Sequence, residues 1–172
     1  DLDSDPNETV NLANDPAYAD TLMDMRRHLT ERVKTLPDLS LYPESYLVEE
    51  AFDDPVAFGL SHQECIADLV DIADLSLHPF TDVRNAIEAA LKSDDPWVRY
   101  WALIVCSSHG RVAGPLAPLA RKLASNDPKR LVQVRAAEFL GLLGADDPQP
   151  VITEALSSTR SGVEANLILN TL

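Results

Sequence analysis

The chain has 172 residues, enough for one ordinary domain, and 45% of them are hydrophobic, which excludes wholesale disorder. Its formal net charge is -14, so the average field repels DNA, RNA and anionic lipid and argues against a nucleic-acid or membrane partner. Aromatics make up only 6%, and Ala and Leu carry most of the apolar mass, which favours helices over a β-sandwich. No apolar run reaches the ~18 residues that span a bilayer. The two cysteines, Cys65 and Cys106, indicate no redox compartment.

Residues 1–14 are polar and turn-rich, with Asp5-Pro6-Asn7 as a turn signal. The opening reads as the interior of a longer protein. Asp15 is placed to cap a helix with Pro16 at its first position. Tyr18, Leu22, Met25, Leu29, Val33 and Leu36 then follow at steps of three and four, the apolar stripe of one amphipathic helix that Pro37 ends. Residues 37–60 hold several prolines and the acidic run Glu49-Glu50 and Asp53-Asp54. Their Leu41, Tyr42, Tyr46, Leu47, Phe52 and Phe58 are too apolar for a free linker. They read as a packed connector with one helical turn near 45–51.

From Ser61 onward, helices are expected in pairs. Ser61 with Glu64 forms a capping-box pattern ahead of Ile66, Leu69, Val70 and Ala73. Further helices are expected over about 81–92, 96–108, 115–125, 129–143, 149–157 and 162–172. The second of these ends on Gly110 and the fourth on Gly144. The last has Ala165, Ile168, Leu169 and Leu172 on its inward face. Six of the twelve prolines follow Asp, a punctuation in which a cap precedes a residue whose missing N–H costs nothing.

Two of these helices carry related cores. Trp97-Val98-Arg99-Tyr100-Trp101-Ala102-Leu103 returns as Gln133-Val134-Arg135-Ala136-Ala137-Glu138-Phe139-Leu140, with the Val-Arg pairs 36 positions apart. Each follows an Asp-Pro step, Asp95-Pro96 and Asp127-Pro128. A fixed period of this size marks stacked helical repeats. The run Val134 to Gly144 resembles the first helix of HEAT repeats of the phycobilisome lyase type, Asp-x-Val-Arg-x-x-Ala-x-x-x-Leu-Gly. Gly162-Val163-Glu164-Ala165 is a degenerate copy, with Glu164 at the Arg position. The resemblance implies that Asp95, Arg99, Asp127 and Arg135 make structural hydrogen bonds between neighbouring repeats.

The opening residues are similar to a different family. Asp1-Leu2-Asp3-Ser4-Asp5-Pro6-Asn7-Glu8-Thr9-Val10-Asn11-Leu12-Ala13 resembles the run that closes the catalytic domain of sulfatases of the arylsulfatase and heparan N-sulfatase type. There an amphipathic C-terminal helix follows, as Asp15 to Leu36 does here. The resemblance covers about the first 36 residues. It implies a parent that hydrolyses sulfuric esters with a formylglycine, made from Cys or Ser in Cys/Ser-x-Pro-x-Arg, beside a calcium ion. Neither Cys65-Ile66-Ala67-Asp68 nor Cys106-Ser107-Ser108-His109 fits that motif. No catalytic residue is therefore carried over, and calcium and formylglycine are expected only in an upstream domain.

Other constellations have plainer readings. Asp1, Asp3, Asp5 and Asn7 hint at a calcium loop, but Pro6 and Leu12 stand where such a loop needs Gly and Glu, so turns and caps are expected. His62, Cys65, Cys106 and His109 look zinc-like. Cys65 lies near the start of its helix and Cys106 near the end of the corresponding one, so buried thiols are expected instead. Arg121, Lys122, Lys129 and Arg130, with Arg135 nearby, form a candidate anion patch or else a solvated helix end. Trp97, Tyr100 and Trp101 offer a sugar platform or core, with Trp101 the residue expected in the core.

The combined expectation is an all-α chain. Residues 1–36 end a sulfatase-type catalytic domain, 37–60 connect, and 61–172 form a short right-handed HEAT-like superhelix. Its partner is the upstream catalytic domain, which it braces, or another protein with which it assembles. The alternative is a free-standing adaptor that binds a protein on its concave face. The sulfatase resemblance implies a periplasmic or extracellular location.

Overall fold

The computed structural model describes residues 1–36 and 38–171. Among them there is no strand, and the chain is an all-α superhelical array preceded by a turn-rich segment and one amphipathic helix. The helices are α1 (Ala19–Thr35), α2 (Glu44–Glu50), α3 (Pro55–Ser61), α4 (Gln63–Asp74) and α5 (Phe80–Ala90). They continue as α6 (Pro96–His109), α7 (Ala117–Asn126), α8 (Arg130–Leu142), α9 (Gln149–Ser158) and α10 (Gly162–Leu169). Short 3-10 turns lie at Pro16–Tyr18, Leu39–Leu41, Leu75–Leu77 and Gly110–Leu116.

The Asp-Pro steps set most of the helix starts. Asp15, Asp95, Asp127 and Asp147 each accept the backbone N–H two residues on, and Asp54 accepts that of Ala57. Each carboxylate satisfies one of the orphan donors of a helix start. Gly110 and Gly144 end α6 and α8 at φ of +61° and +63°, a region that costs a residue with Cβ about 1–2 kcal/mol.

Two rows of helices share one core. α4, α6, α8 and α10 stack side by side, while α5, α7 and α9 pack against α6 and α8 from the second row. α6 is central and buries Trp97, Arg99, Tyr100, Ala102, Leu103, Val105 and Cys106. Phe139, Ile66, Leu69, Ile87, Leu103 and Leu116 are among the largest fully buried side chains. Each stabilises the fold by ~1.5–3 kcal/mol relative to exposure.

The connector is more regular than its composition indicates. Residues 44–61 fold as α2 and α3, and the Asp54-Pro55 step opens α3 as the other Asp-Pro steps open theirs. Ser61 therefore ends α3 rather than capping α4, and its hydroxyl donates to the Phe58 carbonyl at 2.9 Å. The expected capping box with Glu64 does not form, because a helix already occupies the residues before it. The segment after Gly110 is likewise 3-10 up to Leu116, and the α-helix begins only at Ala117.

α2 also reaches back across the array to α10. Tyr46 packs on Trp97 with ring centroids 4.7 Å apart, and the small cleft beside it is lined by Ser45, Glu49, Lys129, Arg130 and Glu164. Trp97, Lys129, Arg130 and Glu164 lie at the N-terminal ends of α6, α8 and α10, so the acidic α2 runs along a row of positive helix ends.

α1 differs from every other long helix in burying no residue. It is fastened to α4 by polar contacts. Thr30 donates to Asp74 at 2.8 Å, Lys34 pairs with Asp71, and the Gln63 amide donates to the Lys34 and Thr35 carbonyls. The apolar stripe points elsewhere, with Met25 66% and Leu29 64% exposed. On α10 it is Ile168 and half-buried Leu167 that face the core, and Leu169 is exposed. Pro37 and Leu172, expected as a helix stop and a core residue, lie outside the described residues.

Candidate functional site

The most deeply buried polar group is an ion pair between repeats. Arg99 of α6 donates through Nε and Nη2 to the two carboxylate oxygens of Asp127, at 2.7 and 3.0 Å. Its Nη1 donates to the carbonyls of Ser93 and Asp94 at 2.7 and 3.0 Å. Asp127 also accepts the Lys129 N–H at 2.9 Å, while its own carbonyl takes the Gln133 amide at 2.6 Å. The Asp127 side chain is 1% exposed and that of Arg99 9%. A bidentate guanidinium–carboxylate pair with its remaining valences filled is the arrangement that makes such burial tolerable. It ties the loop before α6 to the loop before α8, with four of the five guanidinium N–H groups bonded to protein.

Arg135 holds the equivalent place on α8 with a different partner. Its Nη2 donates to the Tyr100 hydroxyl at 3.0 Å, and the guanidinium lies 5.2 Å from the Tyr100 ring centroid. Nη1 bonds Glu138, three residues on, at 2.9 Å. Burial works to lower its pKa, and Tyr100 and Glu138 more than offset this, so it stands above the usual value. Asp95 remains a local cap, accepting the Trp97 N–H at 2.7 Å.

The four cations of the candidate anion patch do not converge. Arg121 pairs with Asp146 at 2.7 Å, Arg130 pairs with Glu164, and Lys129 lies 5.8 Å over the Trp97 ring. Lys122 faces a separate groove with Lys92 and Asp94. Arg130 and Glu164 are joined by Thr159, whose hydroxyl donates to the same carboxylate. This cluster is internally neutral and anchors α10 to α8.

The aromatic residues form a core cluster in place of a platform. Tyr42, Tyr46, Phe58, His62, Trp97 and Tyr100 pack edge to face or tilted, with Phe58 stacked on His62 at 3.9 Å. Trp97 and Tyr100 are each 7% exposed, whereas Trp101 is only half-buried. The expectation for Trp101 is thus reversed. Its place at the edge is set by a hydrogen bond from Nε1 to the Leu41 carbonyl at 2.7 Å, which pins the connector to α6. Burial pushes the phenols of Tyr42 and Tyr46 up.

The zinc-like quartet is not assembled. Cys65 is exposed, which corrects the expectation of two buried thiols, while Cys106 is buried and burial pushes its thiol up to about 12. His62 is engaged with Phe58 and His109 packs against Phe80. The carboxylates at the chain start are turn acceptors. Asp1 takes the N–H groups of Asp3 and Ser4 and the hydroxyls of Ser4 and Tyr18, and Asp5 takes Thr9 and Val10. Among the described residues, no group of three or more His, Cys, Asp or Glu is arranged to hold a metal ion.

What remains open is surface. A groove of about 560 Å³ lies where α7, α8 and α9 meet, lined by Ser125, Pro128, Arg130, Gln133, Val151 and Glu154. An apolar one of about 470 Å³ lies beside α1, lined by Leu12, Ala13, Tyr18, Thr21, Leu22 and Met25. Comparison with protein-family models, curated proteins and solved structures found no match to this chain.

Proposed function

We propose that this chain is the non-catalytic C-terminal region of a sulfatase, a sulfuric ester hydrolase, in which the helical array braces the catalytic domain or mediates assembly. The observation that supports the reading is the Asp1–Ala13 run with its local architecture. Its Asp1 and Asp5 carboxylates close two turns, Tyr18 donates to Asp1 at 3.2 Å, and the chain passes through the Asp15 cap into the amphipathic α1. The run leads directly into such a helix, as in the sulfatase motif, but folds here as turns where that motif forms the last strand. In this reading calcium and formylglycine belong to the upstream domain, and the region has no part in the chemistry. The Asp1 and Asp5 carboxylates are occupied by turns, which fits that division. The array's contribution is mechanical. The Trp101–Leu41 bond and the α4 contacts of Thr30, Lys34 and Gln63 hold residues 19–60 on a rigid base.

The test begins with the reading frame upstream of Asp1, which should encode Cys/Ser-x-Pro-x-Arg. The longer protein should then hydrolyse an aryl sulfate, and the 172-residue chain alone should not. Lack of the motif sinks the proposal, and hydrolysis by the short chain sinks its non-catalytic part. A second reading, a free-standing adaptor, draws on the open groove of α7, α8 and α9, where Arg130, Gln133 and Glu154 present polar ends to a bound segment.

A further inference from the structure

Two segments far apart in the chain, the connector and the last helix, are in contact. α10 is eight residues long and buries only Ile168 among the described residues. A helix of that length does not hold by itself in water, where about 12–15 residues are needed. Its place therefore depends on what packs against it. It packs on α8 and α9, with the Arg130–Glu164 pair and Thr159 at its N-terminal end. It also packs on α2, and α2 packs on α10 more than on any other helix. α2 is fastened independently of α10. Tyr42 ahead of it is 5% exposed, and Ala51 at its end 3%. Tyr42 and Tyr46 both pack on Trp97 of α6, and the Trp101 indole donates to the Leu41 carbonyl. The connector is thus tied to α6 and reaches α10 from there.

We propose that the connector is a strap: α2 keeps α10 seated, and freeing residues 38–51 from α6 frees the last helix as well. The Arg130–Glu164 pair is partly open to solvent, where an ion pair adds little, so the polar cluster does not seat α10 alone. The two segments then open as one cooperative unit, and such coupling is reciprocal. Whatever loosens α2 loosens α10, and whatever loosens α10 loosens α2. The strap also sets a charge elsewhere on the array. Arg130 lines the groove of α7, α8 and α9 while its guanidinium is paired with Glu164 of α10. Release of α10 leaves Arg130 in that groove without its carboxylate. Under the sulfatase reading the connector follows the helix that ends the catalytic domain, so the strap would pass a change at that junction to the last repeat. The inference itself does not need that reading.

The experiment is hydrogen exchange of the 172-residue chain, read by mass spectrometry. Tyr46→Ala removes the ring that packs on Trp97, and Trp101→Phe removes the bond to Leu41, which does not involve α10. In both variants residues 162–170 should exchange at least about tenfold faster, while α6, α7 and α8 keep their protection. Ile168→Ala loosens α10 directly, and residues 44–50 should then exchange faster by a similar factor. Unchanged exchange of α10 in Tyr46→Ala and Trp101→Phe overturns the proposal, because Arg130, Glu164 and Thr159 then hold α10 without the strap. So does an Ile168→Ala variant in which α2 keeps its protection. An even loss of protection over α6, α7 and α8 in the milder Trp101→Phe also overturns it, because the fold then opens as a whole. Failure here leaves the sulfatase reading standing, since that is decided by the upstream motif.

Discussion

Removing the Asp127 carboxylate is the sharpest perturbation this fold offers. Asp127→Ala deletes three accepted bonds, two from Arg99 and one from the Lys129 N–H. Both partners are almost wholly buried, so solvent cannot replace what is lost. Breaking a buried pair from one side costs about 3–5 kcal/mol, mostly because the surviving charge is stranded. The lost bond from the Lys129 N–H adds roughly 1 kcal/mol. For a chain of this length, 1 kcal/mol is about 2–4 °C in Tm, so the melt should fall by roughly 8–24 °C. Asp127→Asn keeps one oxygen for the cap and should fall by less. The double variant Arg99→Leu/Asp127→Leu should recover part of the loss, because no charge is left unpaired. Urea unfolding followed by far-UV circular dichroism gives all three values and their coupling energy. A cost below ~1 kcal/mol for Asp127→Ala, or a coupling under ~0.5 kcal/mol, would refute the claim that this pair joins the repeats.

The two thiols should separate cleanly. Exposed Cys65 reacts with Ellman's reagent in the native chain, and buried Cys106 reacts only on unfolding. Because burial raises the Cys106 thiol to about 12, the folded chain keeps that proton while the unfolded chain loses it near ~8.5. Its contribution is full below that pH and declines as pH rises toward 12, so the urea midpoint of the parent should drop more in this window than that of Cys106→Ala. Gly141→Ala should destabilise by about 1–3 kcal/mol despite the better helix propensity of Ala, since the new Cβ would lie 2.8 Å from the Pro148 ring. A thermal melt that rises instead rules out that contact. Trp101→Phe removes the bond to Leu41 and should cost about 0.5–1.5 kcal/mol, with faster hydrogen exchange in residues 38–51 as its local sign.

The repeat helices were legible because their signals are local. An Asp-Pro step fixes a cap, and apolar spacing fixes which face turns inward, as at Val83, Ile87 and Ala90. The same step at Asp54-Pro55 opens α3, yet the prolines and acids around it disguise two short helices as irregular chain. What periodicity cannot supply is the object a stripe faces. The stripe of α1 reads like that of α5, but α5 packs on α6 while α1 meets α4 through Thr30 and Lys34. Arg99 and Arg135 likewise look interchangeable in sequence. What separates an ion pair from a bond to Tyr100 is Asp127 in the loop before α8, whereas the loop before α10, Thr159-Arg160-Ser161, carries no acid.

The two arginines therefore reach in opposite directions along the array. Arg99 reaches forward to the loop before α8. The loop before α10, Thr159-Arg160-Ser161, holds no acid, and Arg135 turns back to α6 and Glu138. Glu164, at the Arg position of the last copy, accepts from Arg130 and Thr159 and is satisfied by what precedes it. The last first-row helix thus makes its polar bonds backward and offers no arginine forward. α2 packs against α10 as well, beside the N-terminal ends of α6, α8 and α10. The reversal of one charge, Glu164 in place of an arginine, thus turns the polar bonds of α10 back toward α8.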